Sequence, residues 1–288
     1  MCMDRIATQC ICCGGNELTK SPAVLMPFIA KRVFGYDPVL ISPDWGLRDL
    51  QCGIAYSVCN SLQCSNCGVL FLDMRFTDRE MASLYAGYRD EEYTQLRDHF
   101  EPGYRKVNES FSDRGNYISV IENFLRPRIP PTPALLDWGG DTGVNTPLKK
   151  EARTVHVYDI SKKPVMAGVQ SVDLQAIRRS KYDVIVCSQV LEHVPYPQDI
   201  LKEIVSVMDM ETILYLEVPY EELMRVNPGA TDIVSSKHHW HEHINFFSEK
   251  SLVVLLKVVG LQLVEMQAIP ISLGWRDACV IAMLCKRA

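Results

Sequence analysis

The chain has 288 residues, of which 47% are hydrophobic and 23% charged, with a formal net charge of -5. That suits one large or two modest globular domains, and an acidic chain offers no global basic field to recruit nucleic acid. No stretch approaches the roughly 18 consecutive apolar residues of a membrane span.

Residues 1–75 hold eight of the eleven cysteines. The opening Met1-Cys2-Met3-Asp4-Arg5 lacks the apolar core of a signal peptide. A cytoplasmic chain is expected, in which cysteines serve as metal ligands or free thiols before disulfides. Cys10-Ile11-Cys12-Cys13 and Cys64-Ser65-Asn66-Cys67 each contain C-x-x-C, followed by Gly14 and Gly68. Two such knuckles can set Cys10, Cys13, Cys64 and Cys67 around one zinc. Free thiols are the alternative, and Cys2, Cys12, Cys52 and Cys59 are surplus. Residues 76–126 read as a helical connecting segment. Met81, Leu84, Tyr85 and Tyr88 recur at helical spacing, and Thr77 with Glu80 makes a capping box. The prolines from Pro127 to Pro133 then form a stiff boundary.

From 127 to 288 strands and helices alternate. Strands are expected at 134–137, 154–158, 182–188 and 212–218, helices at 199–208 and 249–259, and a closing pair of strands at 261–269 and 278–285. Apolar runs such as Val184-Ile185-Val186 suit a parallel sheet covered on both faces. The first strand runs into Asp137-Trp138-Gly139-Gly140-Asp141-Thr142-Gly143, where glycine permits positive φ and a close approach to a ligand. The second ends at Asp159, about 20 residues on, where a carboxylate can accept both hydroxyls of a ribose. A strand-to-helix turn without a ligand is the alternative, and no G-x-G-x-x-G is present.

Asp137 to Gly143 resembles the first motif of class I S-adenosylmethionine-dependent methyltransferases. Tyr182-Asp183-Val184-Ile185-Val186-Cys187-Ser188-Gln189-Val190-Leu191-Glu192-His193-Val194 resembles their fourth-strand motif, and Leu216-Glu217-Val218-Pro219 the end of their fifth strand. The resemblance covers 134–288 and implies a Rossmann-like α/β sheet with helices on both faces. It also implies a cofactor site in which Asp137, Gly139, Gly140 and Gly143 shape the methionine end. Asp159 would hold the ribose, Asp173 and Leu174 would flank the adenine, and Ser188 would lie at the fourth strand's end. Asp141 departs from the motif's central glycine. The four-cysteine segment is similar to the N-terminal zinc module of bacterial deoxysugar and surface-glycan methyltransferases, in which zinc is structural.

His238-His239-Trp240-His241-Glu242-His243 gathers four of the seven histidines after the last central strand, where substrate loops belong. Metal ligation, a solvated polar loop and a general base are the three readings. The segment resembles the His-Glu-His element of the same sugar methyltransferases. That favours His243 as base, with Glu242 beside it and Trp240 flanking the substrate where the group commonly has Tyr. A related methyltransferase group binds a divalent ion around the fourth-strand motif. Gln189 replaces its first carboxylate here, so His193 is expected to cap the loop or touch substrate. The expected function is methyl transfer to a hydroxyl or carbon of a small molecule, above all a sugar or nucleotide-sugar. The expected partner is that small acceptor, with no nucleic acid and no membrane. A catalytically degenerate binding scaffold is the alternative, which Asp141 and Trp240 would favour.

Overall fold

The computed structural model describes residues 5–40, 42, 44, 58–110, 115–230, 232–272 and 277–288. The surplus Cys2 and Cys52 lie outside them. The first part contains β1 (Leu18–Leu25), α1 (Pro27–Phe34), β2 (Cys59–Cys64) and β3 (Leu70–Leu72). A helical stretch follows as α2 (Asp78–Tyr85), α3 (Glu91–Phe100), α4 (Tyr104–Ser110) and α5 (Gly115–Leu125). The expected capping box is present: the Glu80 N–H donates to Thr77 Oγ1 at 3.4 Å, and the Thr77 N–H to Glu80 Oε2 at 2.8 Å.

The second half comprises β4 (Ala134–Trp138), β5 (Thr154–Tyr158), β6 (Gln170–Ser171), α6 (Leu174–Arg179), β7 (Val184–Ser188), α7 (Pro197–Val207) and β8 (Ile213–Pro219). Then come α8 (Glu222–Arg225), β9 (His239–Trp240), β10 (Asn245–Phe246), α9 (Glu249–Val258), β11 (Leu261–Ser272) and β12 (Asp277–Arg287). Seven of these strands form one sheet in the order β11-β12-β8-β7-β4-β5-β6. Strands β4 to β8 run parallel, and β12 inserts antiparallel between β8 and β11. Side chains alternate across it. Leu136, Ile185, Leu214 and Leu216 meet Ile177, Leu201, Ile204 and Leu255 on one face. Leu135, Val184, Val186 and Tyr215 meet Ile121 and Leu125 on the other. This is the expected Rossmann-like sheet with helices on both faces.

The short β6 and α6 were not expected, and the smaller sheet departs from the sequence pattern too. Its order is β10-β3-β2-β1-β9, so strands from 18–72 are flanked by two short strands from the histidine segment. The sheet curls until Trp240, on one edge strand, and Phe246, on the other, pack with ring centroids 5.2 Å apart. One buried cluster runs from Cys10, Cys64 and Phe71 to Leu216 and Phe247. Among the described residues no helix is long and apolar enough to cross a membrane.

Candidate active site

The carboxyl ends of the parallel strands carry the first group of expected site residues. Strand order reverses between β5-β4 and β4-β7, and ligands of open α/β sheets bind in the crevice at such a point. Asp137, at the end of β4, is 6% exposed and accepts a 2.5 Å hydrogen bond from the Thr146 hydroxyl. Burial pushes its pKa up to about 6. Gly139 has φ 84, and its N–H donates to the Tyr158 carbonyl at 2.7 Å. A Cβ there would meet Val190 Cγ2 at 2.4 Å, so the turn requires glycine at this position. Asp141 takes the left-handed conformation at φ 49, which Asp adopts more readily than most residues. Its N–H donates to Asp159 Oδ2 at 2.9 Å, and its carboxylate pairs with Lys163 at 3.2 Å. The aspartate in place of glycine thus fits the turn, and its side chain ties it to Lys163.

Asp159 also accepts the Ser161 N–H on Oδ1 at 2.7 Å. Gly140 and Gly143 lie in the same turn, where the Gly143 N–H donates to the Gly140 carbonyl. Asp173 is exposed and caps α6 by accepting the Ala176 N–H at 2.7 Å; Leu174 begins that helix. Ser188 closes β7, with its hydroxyl donating to buried Glu217 at 2.8 Å. Glu217 also accepts the Gln189 amide at 2.9 Å and the Tyr215 hydroxyl at 2.5 Å.

Both cysteine knuckles adopt the same backbone turn. The Gly14 N–H donates to the Cys10 carbonyl at 2.9 Å and the Gly68 N–H to the Cys64 carbonyl at 2.8 Å, each glycine at positive φ. The turns bring Cys10 Sγ to 3.5 Å from Cys67 Sγ and Cys13 Sγ to 3.6 Å from Cys64 Sγ. All four sulfurs lie within 4.8 Å of one another. Zinc bonds of about 2.3 Å place tetrahedral sulfurs about 3.8 Å apart, so the four fit one ion. Hydrogen bonds from the Cys10 and Cys12 thiols hold Cys67 down at about 5, which favours the thiolate that metals bind.

The histidine segment is bent back onto the loop after β7. Its Ile244 and Asn245 N–H groups donate to the Glu192 carbonyl at 2.8 and 3.1 Å, and the Asn245 amide donates to the Leu191 and Val194 carbonyls. His193 and His243 thereby meet with ring centroids 4.7 Å apart. His243 Nδ1 lies 2.8 Å from Glu221 Oε1, just past the end of β8. Burial works against charge on His243, but the Glu221 hydrogen bond together with the charges of Glu221, Glu192 and Glu242 outweighs it, and its pKa stands at about 9. Burial pulls His193 down to about 3 and pushes Glu192 up to about 8. His193 Nδ1 faces the Tyr85 hydroxyl at 2.7 Å and the Glu242 carbonyl at 3.1 Å, so α2 reaches the cluster too. Sequence reading missed Glu221, Glu192 and Tyr85. Glu192 carried a signal as part of the fourth-strand motif, and Glu221 as a carboxylate following a central strand.

The other expected residues of this segment face elsewhere. Burial would raise Glu242, but Arg97 of α3 holds it at about 2 through bonds of 2.7 and 2.9 Å. Arg97 binds Glu101 as well, and Glu101 lies 3.2 Å from His241 Nδ1. His241 and His243 thus have different partners. Trp240 is 0% exposed, and its indole N–H donates to Ser61 Oγ at 2.9 Å. The expectation that Trp240 flanks substrate is corrected: it is a core residue of the curled sheet. Trp240→Phe is expected to lose this hydrogen bond, worth about 1 kcal/mol, and to lower the melting temperature. An unchanged melting curve would show that the bond contributes nothing.

No curated protein matches the chain. Among solved structures, a Burkholderia thailandensis 1,6-didemethyltoxoflavin-N1-methyltransferase, with that substrate and S-adenosylhomocysteine bound, is similar at 17% identity. It has a TM-score of 0.46, with 68% of this chain and 89% of that chain covered. An S-adenosylmethionine-dependent methyltransferase from Clostridium acetobutylicum is similar at 13% identity and a TM-score of 0.46, covering 67% and 99%. The magnesium protoporphyrin IX methyltransferase of Synechocystis is similar at 16% identity and a TM-score of 0.43, covering 68% and 99%. The family model described as "Methyltransferase domain" matches residues 111–266, more than half of the chain, and the protein belongs to that family.

Proposed function

We propose that the protein transfers a methyl group from S-adenosylmethionine to a hydroxyl of a small acceptor, a sugar or nucleotide-sugar, with zinc in the four-cysteine centre. The observation that carries this reading is the convergence at one sheet edge of the Asp137–Gly143 turn, Asp159 and the Glu221–His243 pair. The bound cofactor supplies an electrophilic methyl on a sulfonium. Asp137, Gly139, Gly140 and Gly143 form its amino-acid end. Asp159 accepts the ribose hydroxyls with the lone pairs not used by the Asp141 and Ser161 N–H groups. Asp173, Leu174 and Ser188 line the remainder. Methyl transfer needs donor and nucleophile aligned, so most of the residues position rather than react.

The acceptor hydroxyl loses its proton to the neutral form of His243, which Glu221 orients and which prevails above about pH 9. Glu242 acts at a distance, since its salt bridge with Arg97 anchors the segment bearing His243. The four thiolates leave no open position on zinc, so that ion is structural. The cysteine-rich part at 1–75, the helices of 76–126 and the sheet of 127–288 work as one body, because the histidine segment completes the small sheet. The free cysteines suit a cytoplasmic location.

Asp159→Ala tests the cofactor site. It is expected to weaken S-adenosylmethionine binding by about 1–3 kcal/mol per ribose hydrogen bond lost, measured by calorimetry. Because Asp159 also holds the Asp141 N–H, Asp159→Asn, which keeps an acceptor oxygen, should retain part of the affinity. Wild-type affinity in Asp159→Ala would remove the residue from the site.

A further inference from the structure

We propose that Glu192, His193 and His243 form a second metal site, for a divalent first-row transition ion. The inference rests on this cluster being the acceptor site and names what holds the acceptor oxygen there.

Glu192 is 1% exposed, and neither of its carboxylate oxygens has a hydrogen-bond partner among the described residues. A carboxylate stripped of water and left unbonded is strongly unfavourable unless a proton or cation meets it. The two imidazoles beside it are held as metal ligands are held. His243 Nδ1 is bonded to the Glu221 carboxylate, and His193 Nδ1 lies 3.1 Å from the Glu242 carbonyl and 2.7 Å from the Tyr85 hydroxyl, which can accept the same proton. A carbonyl or carboxylate partner assigns the proton to Nδ1, which leaves Nε2 of each ring as the donor to metal. Ligating histidines have this outer shell almost without exception.

The distances agree. His193 Nε2 lies 3.7 Å from Glu192 Oε1. One donor atom from each of the three residues falls within 4.8 Å of the others. Ligand bonds of about 2.1 Å set tetrahedral donors about 3.4 Å apart, so a closure of roughly 1 Å completes the site. The neighbouring carboxylates are committed elsewhere: Glu221 to His243, Glu242 to Arg97, Glu217 to Ser188, Gln189 and Tyr215. The sequence argued against metal at His193 because Gln189 lacks a carboxylate. Here Gln189 is not part of the set, and the third ligand comes from the distant His243.

Two imidazoles and one carboxylate suit zinc, manganese, iron or cobalt, whereas magnesium favours oxygen ligands. Three protein ligands leave a coordination position open. The side chains of His193 and His243 are 17% and 33% exposed. An acceptor hydroxyl bound at the open position releases its proton to water more readily. Its oxygen then forms the bond to the methyl carbon as the carbon–sulfur pair returns to sulfur. His243 serves as a ligand in this arrangement instead of receiving the proton.

Manganous ion, which competes poorly for thiolates, is titrated into protein carrying a single zinc per chain, in the four-cysteine centre, and followed by electron paramagnetic resonance. One ion per chain is expected to bind. Glu192→Gln and His193→Ala should each weaken it by about 100-fold or more, and His241→Ala should not. Absence of bound manganese in wild-type protein, which needs no variant to fold, overturns the proposal. So does wild-type affinity in folded Glu192→Gln. The measurement requires no acceptor, so it separates the two ideas. Turnover that survives removal of this ion but not His243→Ala sinks the ion and keeps the acceptor site. An ion that binds while His243→Ala turns over normally does the reverse to the acceptor reading.

Discussion

His243→Ala is expected to keep S-adenosylmethionine affinity and to lose turnover by roughly 10²–10⁴, the usual consequence of removing a group that assists proton loss. The expectation follows from position. His243 is held on Nδ1 by Glu221 at 2.8 Å and stacks edge-on against His193, whereas the Asp137 turn and Asp159 belong to other strands. His241→Ala should be milder, because His241 faces Glu101 at the end of α3. Side-by-side turnover and calorimetry of both variants, once an acceptor is found, decide the matter. A dead His241→Ala with an active His243→Ala would reverse the assignment, and two active variants would remove the loop from catalysis.

Removing zinc from the four-cysteine centre is expected to have the largest effect on stability. Structural zinc sites contribute on the order of 10 kcal/mol of apparent binding energy, comparable to the whole stability of many domains. Damage should not stop at the N-terminal residues. Cys10, Cys64 and Cys67 share a buried cluster with Leu216 and Phe247, and the Ser248 hydroxyl donates to the Cys67 carbonyl at 3.4 Å. β10 pairs with β3 and β9 with β1, so loosening the knuckles releases both ends of the segment bearing His243. Chelated protein, or Cys64→Ser, should melt at a markedly lower temperature and lose turnover together. Protein purified without chelator that contains no zinc, or a Cys64→Ser variant with an unchanged melting curve, would refute a structural ion.

The large sheet, apart from the two-residue β6, was legible because its strands carry local signals. β4, β5, β7 and β8 are apolar runs, three of them ending at a turn, an acid or a proline, and those features depend on neighbours a few residues away. The capping box before α2 was legible for the same reason. The two-residue strands β9 and β10 were not, since neither is long enough to show alternation.

The sequence by itself determined the alternating strands and helices, the glycine turn with its following acid, and the two cysteine knuckles, all set by local spacing. Only the tertiary structure decided that Trp240 is core, that Glu242 belongs to Arg97, and that Glu192, His193, Glu221 and His243 converge. The physical reason is sequence separation. Glu192 and His243 come together through backbone bonds that cross about fifty residues, and Trp240 reaches Ser61 by the curl of a sheet built from both halves of the chain. Such contacts rest on which buried polar groups find partners once the chain is folded, and a one-dimensional pattern records no partner for any of them.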